Sequence, residues 1–299
     1  MKYSLKRFLQ NIIYLAKYNL KEIDRDSKIY INHRYNFAAK IRNEIKNDFD
    51  IIQPPRVKTA LETMQELVDT NKSIIRFGDG EYILMGGGGG IPFQDYDKNL
   101  AEQLSNIISQ DREDLLIGIS RGHFHTPSAN SNSISKIYDY SWVVENYETI
   151  TKHLKPAKEY ANGGISQVYA GSTNYDFKQH YSLFKQLFAN KKLLLVCGDK
   201  VLSNIKYNIL EDSDVEYIYG PTKHAYSDID RLRLELNSKA KDETLLFAIG
   251  PAGKVLAYEM YLKGYRVLDI GHIIKDYDTY MRGTSMTEDA IKDFFAPDA

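Results

Sequence analysis

Apolar residues open the chain at helical spacing. Leu5, Phe8, Leu9, Ile12, Ala16 and Leu20 fall on one side of a helix. Among the polar positions around them are Lys2, Lys6, Arg7, Lys17 and Lys21, with no acid in the first 21 residues. The pattern predicts a basic amphipathic helix. Such a helix either lies on an anionic membrane surface or packs on the domain or a partner. It lacks the continuous apolar core and small-residue cleavage site of a signal peptide. Residues 22–52 stay polar and mixed in charge, with helix expected around Phe37–Ile45, and Pro54-Pro55 then punctuates the chain. Residues 1–52 are therefore read as a helical extension and residues 53–299 as the main domain.

From residue 57 the pattern alternates between short apolar runs and amphipathic stretches. The apolar runs predict strands at Ser73–Phe77, Leu115–Ser120, Leu193–Cys197, Val215–Tyr219, Thr244–Ile249 and Tyr265–Ile270. The amphipathic stretches predict helices at Val57–Asp69, Leu100–Ile108, Ser141–Leu154, Phe177–Phe188, Val201–Leu210, Asp228–Lys239 and Val255–Leu262. Ser227 is the expected cap of the sixth helix, and Gly264 closes the last. Ser128–Ser135 reads as a polar loop. The alternation implies an α/β fold, Rossmann-like, with a mostly parallel sheet covered by helices on both faces. Ligands of such sheets sit at the carboxyl ends of the strands. Most of these runs end in glycine followed by polar groups, so the site is expected there.

Composition narrows the function classes. Lys and Arg total 39 against 40 Asp and Glu, a net charge of −1, which excludes a generally basic nucleic-acid coat. The single cysteine, Cys197, excludes an internal disulfide framework and fits a reducing compartment. With no secretion signal recognised, cytoplasmic residence is expected, with the first helix as a means of peripheral attachment to the inner membrane face. No apolar run approaches the length of a membrane-spanning helix. The 23 tyrosines supply flat apolar faces with polar tips, suited to sugars or interfaces, although a biased genome composition accounts for them equally well.

Three segments carry candidate chemistry. In Arg76-Phe77-Gly78-Asp79-Gly80-Glu81 the glycines allow a sharp turn. In an extended segment Asp79 and Glu81 share one side and form a hard-oxygen site for Mg²⁺ or Mn²⁺; on a helix they point apart. Arg76 offers a bidentate phosphate contact. An acidic structural turn is the bland alternative. Gly250-Pro251-Ala252-Gly253-Lys254 lies between a strand and a helix, where free amides and a lysine attract phosphate, although the spacing matches neither a Walker A nor a dinucleotide fingerprint. Asp269-Ile270-Gly271-His272 ends the last strand, and His272 is a candidate acid or base. Asp276-Tyr277-Asp278 is a rival metal triplet in what reads as a mobile polar tail. His123 and His125 lack the further ligands zinc needs. Cys197 reads as a core residue.

Taken together, several of these segments resemble the GT-D glycosyltransferases of bacterial glycan assembly. The carrying residues are Ser73 through Glu81, Pro92-Phe93-Gln94 with Tyr96-Asp97, Ala248 through Tyr258, Gly264-Tyr265, and Leu268 through Ile273 to Tyr277. The resemblance covers about residues 57–283 and implies a Rossmann-like fold. It also implies transfer of a sugar from a nucleotide-diphosphate donor, a UDP-sugar, to a lipid-linked or protein-linked glycan acceptor. Asp79 and Glu81 match the family's metal-associated Asp-x-Glu, which implies Mn²⁺ or Mg²⁺. Arg76, Phe77, Gly78, Gly250, Pro251, Gly253 and Lys254 become donor contacts, and His272 or Asp269 the base of an inverting reaction; inversion and retention both stay open. The five-glycine run Gly86–Gly90 is longer than the family pattern, and Gly198-Asp199-Lys200 departs from the Ser-Arg expected at that place. A non-catalytic nucleotide-sugar or glycan binding module, a nucleotide-sugar hydrolase or phosphotransferase, and assembly as a homo-oligomer all remain compatible with the sequence.

Overall fold

Short apolar runs, bounded by polar turns, become the centre of one sheet. Its strands are β1 (Arg56–Val57), β2 (Ser73–Arg76), β3 (Leu115–Ile119), β4 (Glu159–Asn162), β5 (Lys192–Gly198), β6 (Asp214–Gly220), β7 (Thr244–Ala248) and β8 (Val267–Asp269). The computed structural model describes residues 3–24, 27–51, 55–125, 142, 146, 149–155, 158–240 and 242–296. The strand order is β1-β4-β3-β2-β8-β7-β5-β6, and every pairing is parallel. Both faces are covered, so the inner strands read as continuous apolar runs rather than alternating ones. Helices Lys98–Ile108, Ile229–Lys239 and Gly250–Leu262 pack one face; Ala60–Asp69, Phe177–Phe188 and Ile273–Met281 pack the other. After β2 the chain moves outward to β3 and β4, whereas β8 reaches β2 from the opposite side. The strand order therefore reverses beside β2, where such sheets open a ligand crevice.

The expected α/β architecture with a parallel sheet is the observed one, and Phe177–Phe188 forms at the expected bounds. Several local expectations fail. The helix read from Val57 starts only at Ala60, behind a capping box in which Thr59 and Glu62 bond each other's amides. Arg56–Val57 is instead an edge strand beside β4, itself too short to show a period. Val201–Leu210 is a chain of turns, not a helix. Asn204 takes a left-handed φ of 66°, and the amides of Lys206 and Tyr207 bond Asp278 at 3.0 and 2.9 Å. Ser227 does not cap the next helix; its hydroxyl bonds the His224 carbonyl, and Asp228 takes the cap position. Residues 273–281 form a buried helix rather than a mobile tail. Ser128–Ser135 and six residues of Ser141–Leu154 lie outside the described residues, and 149–153 of the latter are helical.

The N-terminal extension is helical at Tyr3–Tyr18 and Lys28–Ile51. The two helices meet where Tyr14 packs against Tyr30 and His33, with ring centroids 5.2 and 4.8 Å apart.

Candidate active site

β2 ends at Arg76, and the chain turns through Phe77-Gly78 into the short helix Asp79–Met85. Glycine at the cap has no side chain to offer the orphan amides. Glu81, three positions on, folds back, and its Oε2 accepts the Gly78 amide at 2.8 Å. That turn buries Glu81 and sets its Oε1 3.2 Å from Lys254 Nζ. Lys254 stands in the first turns of Gly250–Leu262, and its ammonium also lies 3.4 Å from Asp269 Oδ2 at the end of β8. Asp269 in turn clamps Arg76. Its Oδ1 accepts from Nη2 at 2.8 Å, its carbonyl from Nε at 2.7 Å, and its Oδ2 from the Arg76 amide at 3.1 Å. Arg76 Nη1 donates to the Gly163 carbonyl at 2.8 Å and to Ser166 Oγ at 2.6 Å.

The result is a buried quartet of two cations and two carboxylates with no net charge. Burial works against the charge on Asp269, but Arg76 and Lys254 together outweigh it and hold its carboxyl below the usual range. Burial likewise opposes the charge on Lys254, and Asp269 and Glu81 raise its pKa above that of an ordinary lysine. The guanidinium fits only because residue 271 is glycine. Gly271 has φ 44°, and a Cβ there would lie 1.9 Å from Arg76 Nη2.

The sequence expected Asp79 and Glu81 to share a side in extended chain. They occupy the first turn of a helix instead, and this separates them. Glu81 points inward to Lys254, while Asp79 is exposed and its carboxylate has no hydrogen bond or ion pair among the described residues. Arg76 and Lys254, expected as phosphate contacts, are buried and held by acidic partners. Phe77, expected beside the donor, lies in the core. Pro251 and Gly253 are also buried, and a Cβ on Gly253 would come within 3.1 Å of Ile249, so that glycine lets the helix pack closely on its own strand. Gly250 is exposed at φ 61°, and the cap residue Ile249 gives its helix no side-chain hydrogen bond. Those amides face the carboxyl end of the sheet.

His272 follows Gly271, half-buried among the rings of Phe93, Phe294 and Phe295 at 6.2, 5.7 and 5.9 Å. Burial, then the positive charges of Arg76, Lys275 and Lys254, push its pKa down to about 4, so the imidazole is neutral at neutral pH. Pro92–Gln94 stands out in the sequence as a segment, but the contacts that hold its loop do not. The His224 amide donates to the Phe93 carbonyl at 2.8 Å, the Asp95 amide donates to His224 Nδ1 at 3.0 Å, and the Tyr226 amide donates to Gln94 Oε1 at 3.0 Å. Left-handed backbone at His224, φ 56°, makes these contacts reachable, and outside glycine that conformation has only a weak sequence signal. Ser166 has no local signal, because its partner Arg76 is 90 residues away.

The remaining candidates are structural. Asp276 accepts the amides of Tyr169 and Ala170, both at 3.1 Å, and the Tyr181 hydroxyl at 2.8 Å. Asp278 bonds Arg282 at 2.8 Å besides the two amides of the turn segment. His123 stacks on Trp142 at 4.5 Å in a 3₁₀ turn, and His125 Nε2 accepts the Val57 amide at 3.1 Å, so the two do not share a strand face. Cys197 is fully buried, and burial pushes its thiol up to about 12. Among the described residues, no three His, Cys, Asp or Glu side chains gather as a metal-binding group.

A sequence profile described as "Glycosyltransferase GT-D fold" matches residues 74–293. The chain is 29% identical over 278 residues to Glycosyltransferase GlyD of Streptococcus pneumoniae serotype 4, covering 90% of this chain and 33% of that protein. It is 28% identical over 235 residues to the probable glycosyl transferase Gly of Streptococcus gordonii, covering 75% of this chain and 33% of that protein. The chain thus spans about a third of the length of these relatives. Among solved structures, a new glycosyltransferase from Streptococcus sanguinis is similar with a TM-score of 0.72 and 26% identity, covering 78% of this chain and 87% of that one. A domain with a distinct glycosyltransferase fold is similar with a TM-score of 0.72 and 27% identity, covering 78% of this chain and 83% of that one. The matched profile takes in well over half of the chain, including β2 with its Asp79–Glu81 turn and β8 with His272; this chain belongs to the GT-D family of glycosyltransferases.

Proposed function

We propose that the chain transfers a sugar from a UDP-sugar to a lipid-linked or protein-linked glycan acceptor in bacterial surface polysaccharide or glycoprotein assembly. The observation that carries this reading is the buried quartet. It joins β2, the Asp79 turn, the helix of Gly250 and β8 at the reversal point of the sheet, and it leaves Asp79, the Gly250 amides and His272 as the groups that face outward. Uncapped amides at a helix start favour a diphosphate. The donor set suits Mn²⁺ or Mg²⁺ through Asp79: one free carboxylate, completed by donor phosphates and water, is how such ions are commonly held. Glu81 supports that ligand from below by fixing the turn. Bound there, the ion would neutralise charge on the leaving diphosphate.

The two base candidates separate on their surroundings. Asp269 is enclosed by Arg76 and Lys254 and serves to position them. His272 is neutral and partly accessible, as a group that accepts the acceptor hydroxyl's proton must be. The hydroxyl oxygen then forms the new bond to the anomeric carbon as the bond to the diphosphate breaks.

The test is UDP release from a panel of UDP-sugars, with Mn²⁺ or with EDTA, with and without glycan acceptors. Asp79→Asn and His272→Gln run beside the wild type. Metal-dependent, acceptor-dependent release that both variants lose supports the transferase. Release indifferent to acceptor identifies a hydrolase, and donor binding by calorimetry with no turnover identifies a binding module.

A further inference from the structure

The first helix has two faces, and the structure shows which of them the protein uses. Tyr14 is buried against the second helix, and Asn11 Oδ1 accepts the Tyr30 hydroxyl at 3.3 Å. The opposite side carries Leu5, Phe8, Leu9, Ile12 and Ile13, all between 44% and 60% exposed. At 3.6 residues per turn these five lie within an arc of about 140°, with Tyr14 diametrically across from its centre. The apolar stripe is therefore not the packing face of the helical pair. Around it the first 21 residues carry five cations and no acid.

We infer that the Tyr3–Tyr18 helix docks on an anionic phospholipid bilayer, lying in the interface with the Leu5–Ile13 stripe turned toward the acyl chains. Two features favour a lipid surface over a protein. The charge is of one sign along the whole segment, complementary to anionic headgroups rather than to a mixed protein surface. The exposed stripe, about 140° wide, is also broader than the narrow seam of a coiled-coil partner. Among the described residues, no helix is long and apolar enough to cross a membrane, so the mode is adsorption. This inference is independent of the donor chemistry.

The experiment is co-sedimentation of the full chain with vesicles of phosphatidylcholine alone, or of phosphatidylcholine with about a third phosphatidylglycerol, at low and high salt. The expected result is binding to the anionic vesicles only, weakened by salt and lowered at least tenfold by the double substitution Phe8→Asp and Ile12→Asp. Circular dichroism melting should be unchanged in that variant, since both side chains are exposed. Absence of vesicle binding, equal binding to both vesicle types, or binding untouched by the double substitution would overturn it. So would a wild-type dimer in sedimentation velocity that the double substitution dissociates while vesicles capture neither protein; the stripe would then be a contact between copies.

Discussion

Asp79 and Glu81 are two positions apart in one helical turn and carry different duties. Asp79 is exposed, and its carboxylate makes no hydrogen bond or ion pair among the described residues, so Asp79→Asn should leave stability within about 0.5 kcal/mol of the wild type. Turnover should fall about a hundredfold or more if, as proposed, that charge holds the metal ion. Glu81→Ala takes away a partner of buried Lys254 and the acceptor of the Gly78 amide. It should lower stability by about 3 kcal/mol, toward the low end for a broken buried pair because Asp269 still faces the lysine. Urea unfolding beside UDP release measures both. Equal destabilisation by the two variants would show that the turn does not divide the carboxylates as described.

Elements differ in how plainly the sequence declares them. Phe177–Phe188 shows a full helical period between a capping Asp176 and a polar turn, and β5 is an apolar run between charges; both could be read directly. Segment 201–210 has helical composition but turns instead, because Asp278, more than seventy residues later, takes two of its amides. Asp278→Ala should therefore destabilise by about 2 kcal/mol. It should also speed hydrogen exchange at Lys206 and Tyr207 well above that at β5; unchanged exchange there would mean that the segment holds its shape by local turns alone. The site was legible to the same degree. Asp79, Glu81, Asp269 and His272 stand out by residue type and by position at strand ends. Their pairing does not, since the partners come from elements far apart in the chain, and neither does the short helix at Asp79, whose cap is a glycine assisted by a glutamate. Ser166 and the contacts of the Phe93 loop are not legible, because ordinary residues acquire their roles only through tertiary contact.

At the scale of the whole molecule, acid acts on the fold through a buried histidine. His180 is fully buried; its Nε2 donates to the Ile165 carbonyl at 2.7 Å, and its Nδ1 accepts the Tyr175 hydroxyl at 3.0 Å, which fits the neutral ring. Burial lowers its pKa to about 4 in the folded chain, against 6.5 when free. Its contribution is present above pH 6.5 and is lost as pH falls through 4. Asp276, raised by burial to about 7, acts in the opposite sense and loses its contribution as pH rises through 7. The clean measurement is thus the stability difference between wild type and His180→Gln. It should shrink by about 2–3 kcal/mol between pH 7 and pH 4.5, and a constant difference would refute the assignment. A last consequence concerns assembly in time. β2 lies at the middle of the sheet, yet its neighbour β8 is the final strand, and Arg76 meets Asp269 across 193 positions. During synthesis the early strands can pair among themselves, but their open side, and with it the clamp on Arg76, must wait until residue 269 has left the ribosome. A nascent chain stalled before that point carries an unpaired central edge, so chaperone demand should persist until residue 269 emerges and end at the step that first assembles the proposed donor site.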